Sequence, residues 1–535
     1  LRWLTLFFTI SCTSKFKKWG MAMKSTMTLR DDLPVYPTII HAVQEAAKIA
    51  PDRDAFICED TRVTYVQYER AVGGLAHRLQ EMGAKGGRVA IIMGTSVETS
   101  VAAMGGMAAG AQIALMNPMY TEHEMAPLLA DVNPAVIICS SPFTDQVNEQ
   151  AKKLGVENII VMGEGDFALE AWINDAAMKL PEPLPKPEDK SAMFFTGGTT
   201  GLPKGAEHNH AMMELFCRII CTPWQLDFDT ERVLSVAPIF HIWGHHFVNI
   251  MPIYIRATTV IIPMYKPDDV LAAFEDHDIT VFAGGPPVIY MGLLASEKID
   301  TTDFSKLKYC LSGGAACSEY LLNTWEEKTG CMLLEGGGMS EGAPVGCNPT
   351  HGERRLMSIG QIPPLTEIEI VDLESGETIM PDGKRGEVRI KADTFTTSYR
   401  NRPEETAETI RDGWLYTGDI GYFDEDGYLF LVDRKKEMIL VGGYNVYPRE
   451  VDEVLLNHDA IREAATVAME DDFSGEVVKA CISLVPGEEL SEQNVIDYCT
   501  ERLVKYKVPK VVEFFNELPK TGPAKIDKLK LRGLR

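Results

Sequence analysis

From about residue 33 to 433, short apolar runs alternate with longer segments of mixed character. The runs at 89–93, 113–116, 136–139, 159–162, 258–264 and 280–283 have the length and composition of buried strands. Apolar positions at helical spacing over 66–82, and again from 125, predict helices between them. This alternation predicts an α/β body with largely parallel sheets, which present ligands on loops at the carboxyl ends of strands. Residues 181–190, rich in Pro and charge, predict a loop ahead of a strand. After about 362 the texture changes. Residues 366–371 and 386–390 alternate like antiparallel strands, with turn signals at 374–376, 381–383 and 424–427 and a strand at 428–432. They predict a small β-rich subdomain. The final stretch reads as a small α+β unit, with helices at 450–456 and 492–504 and strands at 464–468 and 478–485. No repeat or low-complexity segment interrupts the chain.

Composition narrows the class. A chain of 535 residues suggests two to four domains at roughly 100–200 residues each. Hydrophobic residues at 45% and charged residues at 24% are ordinary for globular proteins. The net charge of −25 argues against nucleic acid as the main partner, while leaving room for a local basic pocket. Eleven cysteines without a CxxC pair argue against a disulfide framework or a structural zinc site, and favour reduced thiols in a cytoplasmic protein. Leu1 is not Met, and the apolar stretch 3–10 is followed by Lys15, Lys17 and Lys18. That stretch is far shorter than the ~20 residues that span a bilayer, and no clean cleavage site follows. Met21 or Met23 is the expected natural start. No other segment reaches transmembrane length, which leaves peripheral membrane contact open.

The strongest chemical signal is at 193–205, where an apolar strand enters a loop of small and hydroxyl residues carrying one cation: Thr196, Gly197, Gly198, Thr199, Thr200, Gly201 and Lys204. Glycines let backbone N–H groups approach a polyanion, threonines add donors, and Lys204 adds a point charge. This is a phosphate cradle. It is not a Walker A loop, because Pro203 precedes the lysine and no Ser or Thr follows it.

This segment resembles the phosphate loop of the adenylate-forming superfamily, which includes acyl-CoA synthetases, luciferases and adenylation domains of peptide synthetases. Gly197 stands where the family usually has Ser. Further motifs occur in the family's order and extend the resemblance over nearly the whole chain after Pro34. The segment from Pro238 through Phe240, His241 and Trp243 to Gly244 resembles the P-x-F-H-x-x-G string that lines the carboxylate pocket, with Phe247 just beyond. Gly313, Gly314, Ala315 and Ala316 resemble the loop beside adenine. Glu335, Gly336, Gly337, Gly338, Met339, Ser340 and Glu341 correspond to Q-G-Y-G-M-T-E. Here Glu replaces Gln, Ser340 keeps the hydroxyl, and Gly337 replaces an aromatic that stacks on adenine in the family. Glu341 would hold Mg²⁺, and Asp419 in GWLYTGD would accept the ribose hydroxyls. Arg434 would donate to the ribose, and Lys436 falls at the family's hinge. Gly442, Gly443 and Tyr444 resemble the loop that faces the site during thioester formation. Lys525, after LPKT and with Ala524 in place of Gly, takes the catalytic position.

The resemblance implies a two-step ligase using ATP, Mg²⁺ and coenzyme A on a carboxylic acid. Lys525, Glu341, Thr196, Lys204 and His241 would carry the chemistry. Trp243, Phe247, Gly313 and Met339, with His241, would line an acyl pocket whose apolar character favours a medium- or long-chain fatty acid. An aromatic or alicyclic acid, a separate carrier protein as acyl acceptor, and a silent ATP-binding scaffold are the alternatives. The expected division is an N-terminal extension at 1–32, a body at 33–433, a hinge at 434–436 and a mobile C-terminal domain at 437–535. Oligomeric state and exact acyl group stay open.

Overall fold

The computed structural model describes residues 23–196, 203–351, 353–442, 444–471, 475–520 and 525–533. Two α/β layers form the body. The first sheet has six strands in the order Ile159–Met162, Val136–Ser140, Arg88–Ile92, Gln112–Met116, Lys190–Phe195 and Gly205–Asn209. The first five run parallel, and Gly205–Asn209 returns antiparallel to Lys190–Phe195. Both faces are covered, with Val89 and Ile91 on the main core and Ala90 and Ile92 on a second cluster. Burial on both sides explains why these strands read as continuous apolar runs.

The second sheet has eight strands, from Gly342–Cys347 through Met332–Met339, Tyr309–Ser312, Val281–Gly285, Arg232–Ser235, Thr258–Ile261 and Asp54–Cys58 to Thr61–Thr64. Its interior is parallel, and each edge ends in an antiparallel pair. The predicted strand at 258–264 stops at Ile261, two residues before Pro263, which has no N–H to extend a ladder. Helices Tyr65–Glu81 and Val97–Ala108 pack against each other and belong to the core shared by both sheets. Every residue of the second helix except Glu98 is buried. A Cβ on Gly105 would stand 2.9 Å from Leu75, and one on Gly106 would stand 2.5 Å from Ile113. Glycine costs a helix interior about 1 kcal/mol relative to alanine, and here that cost permits the close approach.

The predicted β-rich subdomain is an antiparallel sheet of Glu367–Val371, Gly386–Lys391, Trp414–Phe423, Ile410–Arg411 and Leu429–Arg434. Met23–Lys24 pairs with its outer strand, Ser25 Oγ donates to Ile362 O at 2.8 Å, and the Arg30 guanidinium donates to Leu226 O at 3.2 Å. Residues 23–32 thus make contacts with the body. The C-terminal domain has its own apolar core. Its sheet joins Tyr444–Val446, Ile439–Val441, Gly475–Leu484, Ile461–Asp471 and Val511–Phe514, with helices Pro448–Leu456 and Glu492–Thr500. Arg434 is in strand Leu429–Arg434, and Lys435 N–H donates to Gly418 O at 2.8 Å.

Candidate active site

Strand Lys190–Phe195 delivers Thr196 to the cleft. Thr196 N–H donates to Lys204 O at 2.9 Å, and Thr196 Oγ1 accepts Lys204 N–H at 3.3 Å, closing the neck of the phosphate loop. Gly197, Gly198, Thr199, Thr200 and Gly201 lie outside the described residues. The Lys204 ammonium stands 4.8 Å from the centre of the Tyr399 ring, and the Tyr399 hydroxyl donates to Glu341 Oε1 at 2.5 Å. Tyr399 thus separates a cation from a carboxylate. Ser340 Oγ donates to Phe195 O at 3.2 Å, and Ser340 O lies 2.9 Å from His208 Nε2. Burial pushes His208 down to about 4, so the ring is neutral and Nε2 carries the donated hydrogen. These bonds fix the Glu341 turn against the phosphate strand.

On the opposite wall, Asp419 and Arg434 are register partners of adjacent strands, with Arg434 Nε 2.7 Å from Asp419 Oδ1. Asp419 N–H donates to Thr417 Oγ1 at 3.0 Å, and Arg434 donates to Thr417 O at 3.4 Å. Burial raises the Asp419 carboxyl above its ordinary value, and Arg434 opposes the rise. Lys525 enters beside this pair. A Cβ on Gly314, whose φ is +81°, would stand 3.8 Å from Lys525 Cε and 4.0 Å from its Nζ. The surrounding protein, and then Arg434, lower the Lys525 pKa, while Asp419 and Glu437 oppose that shift. Gly314, Ala315 and Ala316 are exposed to the cleft. His241 also feels Lys525, and burial pushes it down to about 4. Its Nδ1 accepts Trp243 N–H at 3.2 Å, which leaves the ring hydrogen on Nε2.

The fold brings Trp243, Phe247 and Gly313 together. A Cβ on Gly313 would stand 2.4 Å from the Trp243 ring, and the Trp243 and Phe247 ring centres are 4.5 Å apart. Gly336 opens towards Trp224, 3.8 Å from where its Cβ would be. Met339 differs from expectation. It packs against the apolar cluster of the antiparallel subdomain together with Ile359, because side chains alternate along its strand. Ile359 also occupies the space beside Gly337, with Cδ1 2.8 Å from a Cβ built there. The missing aromatic is thus replaced in volume by an aliphatic chain from a segment about twenty residues onward. Glu335 is likewise not free to meet a ligand. Its Oε1 accepts Cys317 N–H at 3.2 Å and its Oε2 accepts Met357 N–H at 3.1 Å. Burial raises it to about 7, against these bonds and the pull of Arg449 and Arg354.

Gly442 has φ +56°, and Gly443 lies outside the described residues. Tyr444 stacks on Tyr506 of the same domain, ring centres 4.8 Å apart. The structure therefore brings Lys525 to the cleft and keeps Tyr444 within the small domain. Among the described residues no group of three or more metal-ligating side chains occurs. Glu341 alone still suits Mg²⁺, which binds through one or two carboxylates and takes its other oxygens from phosphates and water. No described helix is long and apolar enough to cross a membrane.

The closed neck at Thr196 and Lys204, the Asp419–Arg434 pair and a lysine carried by a separate small domain form the arrangement of an adenylate-forming enzyme. The chain belongs to the AMP-binding enzyme family, within the acyl-CoA synthetases. The family model for AMP-binding enzymes matches residues 43–400, and that for their C-terminal domain matches 450–525. A long-chain-fatty-acid–CoA ligase of Bacillus subtilis is 34% identical, covering 91% of this chain and 93% of that protein. ATP-bound MatB from Rhodopseudomonas palustris superposes with TM-score 0.85 at 26% identity, over 92% of this chain and 98% of that one. The anthranilate CoA ligase AuaEII, in complex with anthranoyl-AMP, gives TM-score 0.86 at 28% identity, over 94% and 98%.

Proposed function

We propose that the protein is an ATP-dependent carboxylate–CoA ligase acting on long-chain fatty acids through an acyl-adenylate. The observation that carries this reading is the convergence of Lys525, Asp419 and Arg434 beside Gly314, within the same family fold that holds Lys204, Tyr399 and Glu341. In the first step a carboxylate oxygen of the acid bonds to the α-phosphorus of ATP, the bond to the β-phosphate bridge breaks, and pyrophosphate leaves. Both reactants are anionic, so positioning and charge neutralisation are the main tasks. Lys525 and Lys204 supply cations, and Thr196 shapes the cradle. Asp419 holds the ribose, with Arg434 beside it. Neutral His241, with hydrogen on Nε2, orients the substrate carboxylate. Glu341 would hold Mg²⁺, which would supply charge neutralisation on the phosphates.

In the second step the sulfur of coenzyme A bonds to the acyl carbon, the acyl–phosphate C–O bond breaks, and AMP leaves. Rotation about Lys436 exchanges Lys525 for the Gly442–Tyr444 loop between the two steps, a hinge switch. The aromatic Trp243–Phe247 wall also supports an aromatic acid as a second reading of substrate. All ten described cysteines are buried thiols, which supports a reducing, cytoplasmic setting. The test is pyrophosphate release and CoA thioester formation, read by mass spectrometry across acids of increasing chain length and aromatic acids. Highest kcat/KM for long aliphatic chains is expected. Preference for aromatic acids sinks the fatty-acid assignment, and pyrophosphate release without thioester sinks the ligase assignment.

A further inference from the structure

We infer that Lys528 is the positioning residue that keeps Lys525 in the cleft, by tying the C-terminal tail to the hinge. The inference rests on the adenylation role proposed for Lys525. Lys525 is repelled by Arg434 and drawn by Asp419 and by Glu437, so its place depends on where the tail sits relative to the segment that carries Arg434 and Glu437. The helix after Lys525, Lys528–Gly533, has only six residues and is too short to hold itself. The tail is fastened by a bridge between Lys520 and Ile526, by Asp527 N–H donating to Pro519 O at 2.7 Å, and by buried Leu531. None of these contacts reaches the hinge.

Lys528 does. Its Nζ lies 3.4 Å from Asp452 Oδ2 and 3.5 Å from Glu437 Oε2, and Asp433 adds a third attraction. Asp433 ends the body's last strand region before Lys436, Glu437 comes directly after Lys436, and Asp452 lies on helix Pro448–Leu456. Asp433 Oδ2 also accepts Arg449 N–H at 2.9 Å, in the first turn of that helix, whose own N-cap residue Tyr447 makes no side-chain cap. One body carboxylate thus caps the small domain's helix and attracts the tail's lysine. Burial pulls the Lys528 pKa down, yet the three acids raise it to about 12, so it stays charged. It also offsets repulsion between Asp433 and Asp452, which burial holds high, Asp452 reaching about 6. The segment 433–437 therefore presents Arg434 and Glu437 to Lys525, and Asp433 and Glu437 to Lys528, so the Lys528 contacts fix the tail to the same segment that Lys525 faces.

The test compares Lys528→Met and Lys528→Arg in the full chain, with Asp452→Asn as a milder cut of the same tie. Acyl-adenylate formation should fall roughly 10- to 100-fold in Lys528→Met, the size of loss expected from about 1 Å of misplacement. Thioester formation from preformed acyl-AMP should stay within about threefold, and Lys528→Arg should restore adenylation. Asp452→Asn should lower adenylation in the same direction by less. A second readout needs no substrate: labelling of Lys525 by acetic anhydride against pH, read by mass spectrometry. Wild-type Lys525 should label at lower pH than exposed lysines, and Lys528→Met should erase that difference. An unchanged labelling curve, equal loss of both half-reactions, or failure of arginine to rescue each overturns the inference. If wild type activates no acid, the ligase reading falls, while the labelling curve still decides the role of Lys528.

Discussion

The body and the C-terminal domain solve the problem of placing charge in different ways. The body sets its polar groups on strands locked into packed apolar clusters, so Asp419, Glu341 and Thr196 are fixed by the ladders and turns around them. The small domain meets the body through a thin and mostly polar seam. Arg385 pairs with Glu450 at 2.6 Å and covers the Tyr447 ring at 4.8 Å, and Arg449 donates to Leu431 O at 2.6 Å. A small cluster of Ile420, Val432 and Tyr447 buries apolar surface there. Ion pairs and hydrogen bonds exposed to water are each worth little and re-form easily, whereas a packed core cannot be remade during turnover. The difference teaches that the groups needed throughout the reaction sit on the rigid part, and the group needed for one step sits on the part that can leave.

Substitutions on the two sides should therefore differ in kind as well as in size. Lys525→Ala should lower acyl-adenylate formation by roughly 10²–10³, the range for loss of one preorganised charge-stabilising group. Thioester formation from preformed acyl-AMP should stay within about threefold; equal loss in both assays breaks the division. Asp419→Ala, on the body, should weaken both half-reactions by roughly 10- to 100-fold, through higher KM for ATP and for acyl-AMP. That matches about 1.5–3 kcal/mol for hydrogen bonds to a charged group. A defect confined to adenylation contradicts the assignment of Asp419 to the ribose.

Two further changes probe the packed side. Gly337→Tyr must displace Ile359, and overpacking of this kind costs about 1–3 kcal/mol. The Tm should fall, and adding Ile359→Ala should recover most of the loss; no recovery means that Ile359 is not what fills the position. Glu335 ionises near 7 in the fold, above the usual carboxylate value of 4.5. Below that usual value both states are protonated. Between 4.5 and 7 the unfolded chain releases its proton first, so this group lowers stability as pH rises. Glu335→Gln cannot ionise but offers one acceptor oxygen in place of two. The Tm difference between the variant and wild type should therefore move in the variant's favour from about pH 5 to about pH 8. A difference independent of pH refutes the raised pKa. The smallest effect is expected at the seam. Arg385→Ala removes a partly exposed pair worth about 0–1 kcal/mol, so adenylation should drop by no more than about fivefold. A larger loss, or loss of thioester formation, contradicts a weak and remakeable seam.

Local pattern carried most of the architecture. The run at 159–162 is a strand with those bounds, the runs at 89–93, 113–116 and 136–139 shift by one residue, and the run at 258–264 ends three residues early. Thr196, Glu341 and Asp419 stand out in the sequence because each sits on or beside a strand that carries its own motif, whereas Lys525 stands out only by the motif before it. What the chain did not disclose depends on contacts far apart in sequence. Tyr399 lies 58 residues from the carboxylate it holds, and nothing around it marks it as part of a site. Ile359 stands in for an aromatic at Gly337 through packing that no periodicity encodes. Glu335 looked like a ligand because of its neighbours, and its two backbone donors come from separate loops. Asp433 caps a helix across the hinge, where a local reading seeks the cap at Tyr447.

The long-range strand pairs also set an order of events during synthesis. The six-stranded sheet draws on one continuous stretch, 88–209, and has all its strands once that stretch emerges. Asp54 instead waits for Thr258, 204 residues later, and Lys24 waits for Glu367, 343 residues later. At about 5–20 residues per second these waits are roughly 10–40 s and 17–70 s. Strand Asp54–Cys58 can form its hairpin with Thr61–Thr64 at once, yet it and Met23–Lys24 spend tens of seconds on the ribosome without their distant partners, while the first sheet closes behind them.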